Sequence, residues 1–272
     1  MCAPERPPQN IPWHDLTPLS RLDIVRELTL PLPWLLLSWA LYASALWPFG
    51  AIGSFMFFLC ALRLNHEAIH SNLALPRRAD NVVMHVLSAL MLGSNHAESW
   101  CHLRHHKFAM GPEDHEGKCG HMTAWEVLRY GPRFPIDINL TAWRGGTKRS
   151  RKLIVRDWVW CAGFIAIALA SGERFLLLHL AAMVCAQCLS AFFAVWITHQ
   201  GLGDSGLAAR SQRGPLAAAA YLMFYHREHH LFPKVPVSRL PKLAARLDRD
   251  APGYAASRAP VIPWLEPKEK SV

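Results

Sequence analysis

The chain has 272 residues, 51% of them hydrophobic, and still carries a formal net charge of +9. Its apolar residues are gathered into blocks, which excludes an ordinary soluble domain and indicates an integral membrane protein. The seven cysteines are an odd number, and several lie in the apolar blocks, which excludes an extracellular disulfide framework. Cys185 and Cys188 have a redox or zinc spacing but no partner pair, so we interpret them as small packing residues.

The N-terminal segment, residues 1–27, is rich in proline and mixed in charge at its start, which is MCAPERPPQNIPWHDL. A secretory signal would begin with basic residues followed by an apolar stretch. We therefore expect no such signal and a cytoplasmic N-terminal segment.

Two apolar blocks follow, and each is long enough for two membrane-spanning helices. Residues 28–62 contain no Asp, Glu, Lys or Arg, whereas a helix needs only about 20 apolar residues to cross a bilayer. WPFG at 47–50 predicts a turn, and Glu173 with Arg174 interrupts the second block, 158–200. The pattern predicts an all-α fold with four transmembrane helices in two hairpins. The predicted spans are about 28–47, 50–65, 158–172 and 174–199.

The basic residues are distributed unevenly about these spans. Of 29 Lys and Arg, 14 lie in 63–157, 11 follow residue 200, 3 precede the first span and only Arg174 falls in a turn between paired spans. Because cytoplasmic loops are enriched in Lys and Arg, both termini and the central segment, as a helical cap, are predicted to be cytoplasmic. We expect a multi-pass protein of the cytoplasmic membrane, with a membrane domain at 28–250, a Pro-rich tail at 251–272 and no nucleic-acid partner.

Three shorter stretches are predicted to be helices outside the spans. Residues 82–95 and 215–225 are apolar but too short to cross a bilayer, so we expect them to be half-buried or interfacial. In SRLPKLAARLDR, Leu240, Leu243 and Leu247 form one helical stripe. This helix either lies on an anionic membrane surface or packs as an ordinary amphipathic helix, and both interpretations stay open.

Three histidine-rich segments carry the chemistry: HEAIH at 66–70, HLRHH at 102–106 and HREHH at 226–230. Histidines at positions i and i+4 lie on the same face of a helix. Neutral imidazole suits zinc, copper, iron and nickel. Eight imidazoles exceed the four that close a structural zinc site, which favours a di-iron centre with open positions. The eight candidate ligands are His66, His70, His102, His105, His106, His226, His229 and His230.

These motifs resemble the histidine-box membrane fatty acid desaturase and hydroxylase superfamily, to which carotenoid ketolases are related. The resemblance covers roughly 28–247 and is carried by NHEAIHSNLALPRR, HLRHHKFAMGPEDHEG and YHREHHLFPKVPVSRLPKL. It implies two non-haem irons, O2 as oxidant and electrons from a redox partner. It also implies a further ligand near the end of the last span, which is His199 in WITHQG. Some members have a water-held Asn one turn earlier, where this chain has Val195.

Seven other ionisable residues near the boxes or spans are not predicted to bind metal. Glu67 and Glu228 are predicted to orient an imidazole, with a surface ion pair to Arg227 or Arg239 as the alternative for Glu228. Five further histidines fit no box and are expected to support the ligands or the fold, although His96 and His115 are near box two. These histidines are His85, His96, His115, His121 and His179.

The first functional expectation is an O2-dependent desaturase acting on a fatty acyl or lipid chain. The alternatives are a hydroxylase or carotenoid ketolase, which would add oxygen to a lipophilic substrate, and a histidine-rich metal transporter. Transport is disfavoured because the first two spans have no ionisable group except Tyr42 and Cys60. The chain has no iron–sulfur cysteine set, no GxGxxG and no HPGG, so a separate ferredoxin-like or similar donor is expected. No motif assigns the substrate-binding residues.

Overall fold

The computed structural model describes residues 5–202 and 205–265, and this part of the chain is helical without β-strands, in agreement with the all-α expectation. Residues 1–4 of the N-terminal segment, 203–204 after the fourth span and 266–272 of the tail lie outside it. The α-helices are α1 (Arg21–Thr29), α2 (Leu32–Ala43), α3 (Gly50–His70), α4 (Arg77–Met91), α5 (Asn95–Phe108), α6 (Ala124–Tyr130), α7 (Phe134–Gly145), α8 (Lys148–Ser171), α9 (Arg174–Ser190), α10 (Ile197–His199), α11 (Pro215–Ala219), α12 (His226–Leu231), α13 (Leu240–Asp250) and α14 (Pro252–Ala256).

Four helical segments are long and apolar enough to cross a membrane. They are Arg21–Ala43, Trp47–His70, Lys148–Ser171 and Arg174–His199. The third begins ten residues before the predicted span, because Thr147 caps α8 by accepting a hydrogen bond from the Ser150 amide. Outward-facing side chains such as Val159 and Ile167 are more than 60% exposed, as expected for lipid-facing positions. The chain is a multi-pass membrane protein, while its orientation stays a prediction.

The first two spans approach closely through small residues. A Cβ on Gly53 would lie 3.0 Å from the Ser38 backbone, so a larger residue would push α2 and α3 apart. The Ser38 and Ser54 hydroxyls are 2.8 Å apart, and the Tyr42 hydroxyl is 3.1 Å from that of Ser54. These contacts satisfy the polar groups of the pair within an otherwise apolar helix interface.

The shorter predicted helices differ from the structure in their bounds. The stretch 82–95 contains the second half of α4, which ends where Leu92 takes a left-handed conformation (φ 56°), and Asn95 already begins α5. The stretch 215–225 is helical only in α11, because Tyr221 and Leu222 both have positive φ. A left-handed residue ends an α-helix, so the apolar pattern alone predicted a helix that was too long.

The leucine stripe of α13 faces the protein interior. Leu240, Leu243 and Leu247 are fully buried in one apolar cluster that also includes Ile11 and Leu16 of the N-terminal segment. The structure therefore favours the packing interpretation of this helix over the membrane-surface interpretation.

Orientation in the membrane can be tested with single cysteines at opposite ends of the spans. Arg133 and Glu173 are both exposed, but Glu173 lies in the short turn between α8 and α9. In a background in which the exposed Cys185 is replaced by Ser, we expect an impermeant maleimide to label Glu173→Cys on intact cells. Arg133→Cys should react only after permeabilisation, because the basic central segment is predicted to be cytoplasmic. The opposite pattern would overturn the predicted orientation.

Candidate metal centre

Four helices bring nine histidines to one region of the protein. α3 extends beyond its apolar part and carries two of them in its last turns, until Ser71 ends the helix with φ 55°. α5 carries three, and its N-terminus is capped by Ser94, whose side chain accepts from the Ala97 amide. α12 carries three more, and α10 carries His199. The structure thus brings together all nine predicted ligands.

The histidines form two groups whose nitrogens lie within 4.8 Å of one another. The five-histidine cluster contains His66, His70, His102, His106 and His229, and the four-histidine cluster contains His105, His199, His226 and His230. The clusters adjoin, since the rings of His106 and His230 are stacked with centroids 4.3 Å apart. The histidines of each cluster come from several separate segments of the chain.

Within each cluster the Nε2 atoms face one another. In the five-histidine cluster, His102 Nε2 is 3.1 Å from that of His70 and 3.1 Å from that of His106. In the four-histidine cluster, His199 Nε2 is 3.1 Å from that of His105 and 3.0 Å from that of His226. Two ligands bound at right angles, each about 2.1 Å from a metal ion, would be about 3.0 Å apart.

Hydrogen bonds to Nδ1 assign the tautomers of three of these rings. Nδ1 of His102 is 3.1 Å from Glu116 Oε1, that of His105 is 2.6 Å from Asp114 Oδ2, and that of His199 is 3.1 Å from the Ala208 carbonyl. An Nδ1–H donor in each case leaves a lone pair on Nε2. A single proton could bridge only one of the Nε2···Nε2 pairs, whereas one metal ion could bind all the Nε2 atoms of a cluster. The donor set fits one metal ion in each cluster.

Burial favours the neutral imidazoles that a metal requires. Both ring nitrogens of His66 lack a hydrogen-bond partner among the described residues, and the side chain is 7% exposed. Burial first, and then the neighbouring histidines, hold the pKa of His106, His229 and His230 well below the ordinary value. Neutral histidine is the form that binds metal.

Asp114 and Glu116, which orient two of the rings, were not predicted from the sequence. Asp114 is buried in the loop after α5 and also accepts hydrogen bonds from the amides of Met110 and Gly117. Burial alone would raise the pKa of Asp114, but the hydrogen bonds from His105 and from the two amides contribute to lowering it to about 2. The only sequence signal was the acidic character of GPEDHEG directly after box two.

The two glutamates that were predicted to orient an imidazole have other partners. Glu67 Oε1 is 3.9 Å from His66 Nδ1, too far for a hydrogen bond, and instead accepts from the Val237 amide at 3.2 Å. Glu228 accepts from the hydroxyls of Ser211 and Tyr254. The prediction failed for both because their side chains point away from the face that carries the box histidines.

The alternative for Glu228, a surface pair, is also incorrect. Glu228 is fully buried, and its ionic partner is Arg213, at 2.5 Å, instead of Arg227 or Arg239. Arg227 binds Glu5 of the N-terminal segment at 2.6 Å. Both ion pairs attach α12 to segments that precede it in the sequence.

His85, His96, His115, His121 and His179 lie outside both clusters. His115 and His121 are exposed, and His179, within the fourth span, hydrogen-bonds the Leu90 carbonyl at 2.9 Å. His85 and His96 are buried on either side of Asp157. Among these five histidines, the buried pair His85 and His96 fits best the expectation that they support the fold.

The group around Asp157 is a hydrogen-bond network that joins α4, α5 and α8. Asp157 accepts from His85 Nδ1 at 2.5 Å, from His96 Nδ1 at 3.0 Å and from the Ser94 hydroxyl at 2.7 Å. A contact of 2.5 Å is too short for two ligands of one ion and suits a strong hydrogen bond. We therefore interpret this group as structural.

A widened helix precedes His199. Residues Ala191–Trp196 form a π-helix, a form that is frequent at functional sites. The Trp196 ring N–H donates to the Met122 carbonyl at 2.8 Å, which fixes the loop after box two. Gly120 of this loop lies so close that an added Cβ would be 3.0 Å from His199 Cβ.

An apolar cavity of about 300 Å³ opens onto both clusters. His66 and His102 of the five-histidine cluster and His226 of the four-histidine cluster contribute to its wall. The remaining wall is mostly apolar, with residues such as Phe55, Leu59, Leu62, Phe193, Ile197, Leu216 and Met223. The cavity could hold part of a lipid chain beside both sets of imidazoles.

The fold and the site define an integral membrane protein whose two buried histidine clusters could bind metal ions. Residues 37–261 match the model of the fatty acid desaturase family, so the chain belongs to that family. No curated protein matches the chain.

Replacing Asp114 should weaken metal binding. In Asp114, Oδ2 accepts from His105 and Met110, and Oδ1 accepts from Gly117. In Asp114→Asn, the NH2 group takes the place of one of these two oxygens and faces a donor instead of accepting from it. We expect metal affinity to fall by about 10–100-fold, as is typical when a group that holds a metal-binding histidine is changed. Competition with a chelator measures it. Glu113→Gln is the control, since Glu113 is an exposed neighbour paired with Arg104; equal affinity of the two variants would contradict the assigned role.

Replacing Asp157 should lower stability and leave metal content unchanged. Asp157→Asn turns one of several accepted hydrogen bonds into a donor–donor contact, and each buried group left without a partner costs about 1–3 kcal/mol. The thermal unfolding midpoint should fall more than in Asp137→Asn, whose carboxylate is partly exposed. Loss of one bound metal ion per chain in Asp157→Asn would show instead that this group is a metal site.

Proposed function

We propose that the protein is a di-iron oxidoreductase that uses O2 and external electrons to desaturate a fatty acyl or lipid chain. The observation that supports this most directly is the apolar cavity, whose wall includes histidines of both clusters. Membership of the fatty acid desaturase family supports the same assignment. Iron would supply, with O2, an oxidant strong enough for an unactivated C–H bond, which side chains cannot break by acid–base chemistry.

The residues of the chain have three tasks in this proposal. His66, His70, His102, His106 and His229 would hold one iron, and His105, His199, His226 and His230 the other. The apolar wall would bind the lipid chain and exclude water, which limits side reactions. Glu116 and Asp114 would keep the proton on Nδ1 of His102 and His105, so that Nε2 stays available to the metal.

Two of these tasks, binding the lipid chain and holding a metal ion, meet on one helix of the fold. Leu59, Leu62 and His66 lie on one face of α3, so the helix that forms the apolar wall also presents a proposed ligand. A lipid chain lying along that face would reach the histidines without leaving an apolar environment. The active site would then be at the predicted cytoplasmic end of the spans.

Electrons would come from a separate ferredoxin-like or similar protein. The sequence has an excess of nine Lys and Arg residues over Asp and Glu. Such a charge would attract an acidic partner at long range.

The second candidate is insertion of oxygen, as in a hydroxylase or ketolase. It is favoured by two carboxyl groups, Glu98 and Glu116, in the mostly apolar wall of the cavity. A hydroxyl group can donate a hydrogen bond to them, and a new double bond cannot. Product masses separate the two reactions, since desaturation removes two hydrogens and insertion adds one oxygen.

Metal content and turnover can be tested with single histidine substitutions. We expect two irons per chain in the wild type, and His199→Ala should lose iron occupancy and turnover of native lipids together, because it removes one nitrogen from a four-nitrogen set. The protein should still insert in the membrane. His115→Ala is the matched control, since His115 is exposed and outside both clusters. A His199→Ala protein with two irons and full turnover would remove His199 from the ligand set, and zinc without iron in the wild type would contradict the di-iron proposal.

A further inference from the structure

A second, smaller cavity adjoins the first, beside the histidine clusters. It has a volume of about 40 Å³ and is lined by parts of α3, α4, α5, α7 and α9. This inner cavity shares four wall residues with the larger one: Leu62, Glu98, Glu116 and Ala194. A single water needs about 10–15 Å³, so the inner cavity has room for the end group of a bound molecule.

Most polar groups of the inner cavity are already used within the protein. Ser94 donates to Asp157, Gln187 donates to the Met91 carbonyl, and Ser190 donates to the Gln187 carbonyl. Asn139 donates to the Pro135 carbonyl and accepts from the Trp158 ring N–H. These side chains hold the helices together and have little capacity left for a ligand.

The two carboxyl groups at the junction differ from these side chains. Glu116 is only 8% exposed, yet its Oε2 has no hydrogen-bond partner among the described residues, while Oε1 bonds His102. Glu98 has one hydrogen bond, from the Asn65 side-chain amide at 3.2 Å to Oε2. A buried carboxyl oxygen without a partner costs free energy, and in a cavity wall it points to a ligand that supplies the missing bond.

We infer that the substrate is a lipophilic molecule bearing a hydroxyl group, which donates a hydrogen bond to the carboxyl groups of Glu98 and Glu116 where the two cavities meet. This inference rests on the proposed function, because it takes the larger cavity as the place where the lipid binds. Glu98 thereby determines substrate specificity, since it fixes which part of the lipid molecule lies beside the histidines.

Charge favours a neutral group over an ammonium group. Two bound metal ions would repel a cation at the same cavity wall. Burial, and then the negative charge of Glu116, raises the pKa of Glu98 to about 8. A carboxyl group accepts a hydrogen bond whether or not it is protonated, so Glu98 suits a hydroxyl donor in either state.

The test compares two probes of equal length, 1-tetradecanol and tetradecane. Iron-loaded protein in nanodiscs is equilibrated with an equimolar mixture, and the co-purified probes are quantified by mass spectrometry against nanodiscs without protein. We expect the wild type to retain the alcohol over the alkane by about tenfold, the ratio that one hydrogen bond of about 1.4 kcal/mol gives. Absence of this preference in the wild type would overturn the inference whether or not any variant folds.

Three variants test the role of Glu98. Glu98→Met has a similar length without hydrogen-bonding capacity and should bring the ratio close to one, with iron content unchanged. Glu98→Gln keeps a donor and an acceptor and should retain the preference, and Glu113→Gln, which changes an exposed carboxylate, should equal the wild type. An iron-loaded Glu98→Met protein with the wild-type ratio would overturn the inference.

The inference and the proposed function fail in different ways. Binding is measured without turnover, so a Glu98-dependent preference in a protein that oxidises no lipid supports the inference and contradicts the proposed function. Lipid oxidation by a protein without the preference overturns the inference and leaves the proposed function standing.

Discussion

Nine buried imidazoles, several with Nε2 atoms about 3 Å apart, are the constraint on which the rest of the structure depends. Lone pairs at this distance repel in a medium of low polarity, so bound cations and fixed tautomers would stabilise the arrangement. Glu116, Asp114 and the Ala208 carbonyl fix three of the tautomers. The structure around the clusters is best understood as the means of holding these rings in place.

Box three needs the most support, because α12 has only six residues. An isolated helix of that length is not stable, since its nucleation costs more than so few hydrogen bonds return. Its two inner charged residues provide the attachment: Glu228 binds Arg213 and Tyr254, and Arg227 binds Glu5 and stacks on the Tyr254 ring. The N-terminal and C-terminal segments thus position three histidines that lie far from them in sequence.

The parts of the site that the sequence predicted are those that follow from helical periodicity. His66 and His70, for example, share a face because they are four residues apart on one helix. Asp114 and Glu116 lie in an irregular loop, where no periodicity tells which way a side chain points. Glu67 and Glu228 were misassigned because proximity in sequence to a box histidine does not place a carboxylate beside its ring.

The fold was predictable to a similar extent and for similar reasons. The four spans follow from composition, since a bilayer requires long apolar helices. The ends of the shorter helices depend on left-handed residues such as Leu92 and Tyr221, which apolar patterning does not reveal. The π-helix before His199 also changes the helical phase, so the direction of that ring could come only from the family resemblance. Glu116 shows how closely the parts are connected: its Oε1 holds His102 and the residue also lines both cavities, so a group bonded to it there would share the carboxylate that orients a proposed metal ligand.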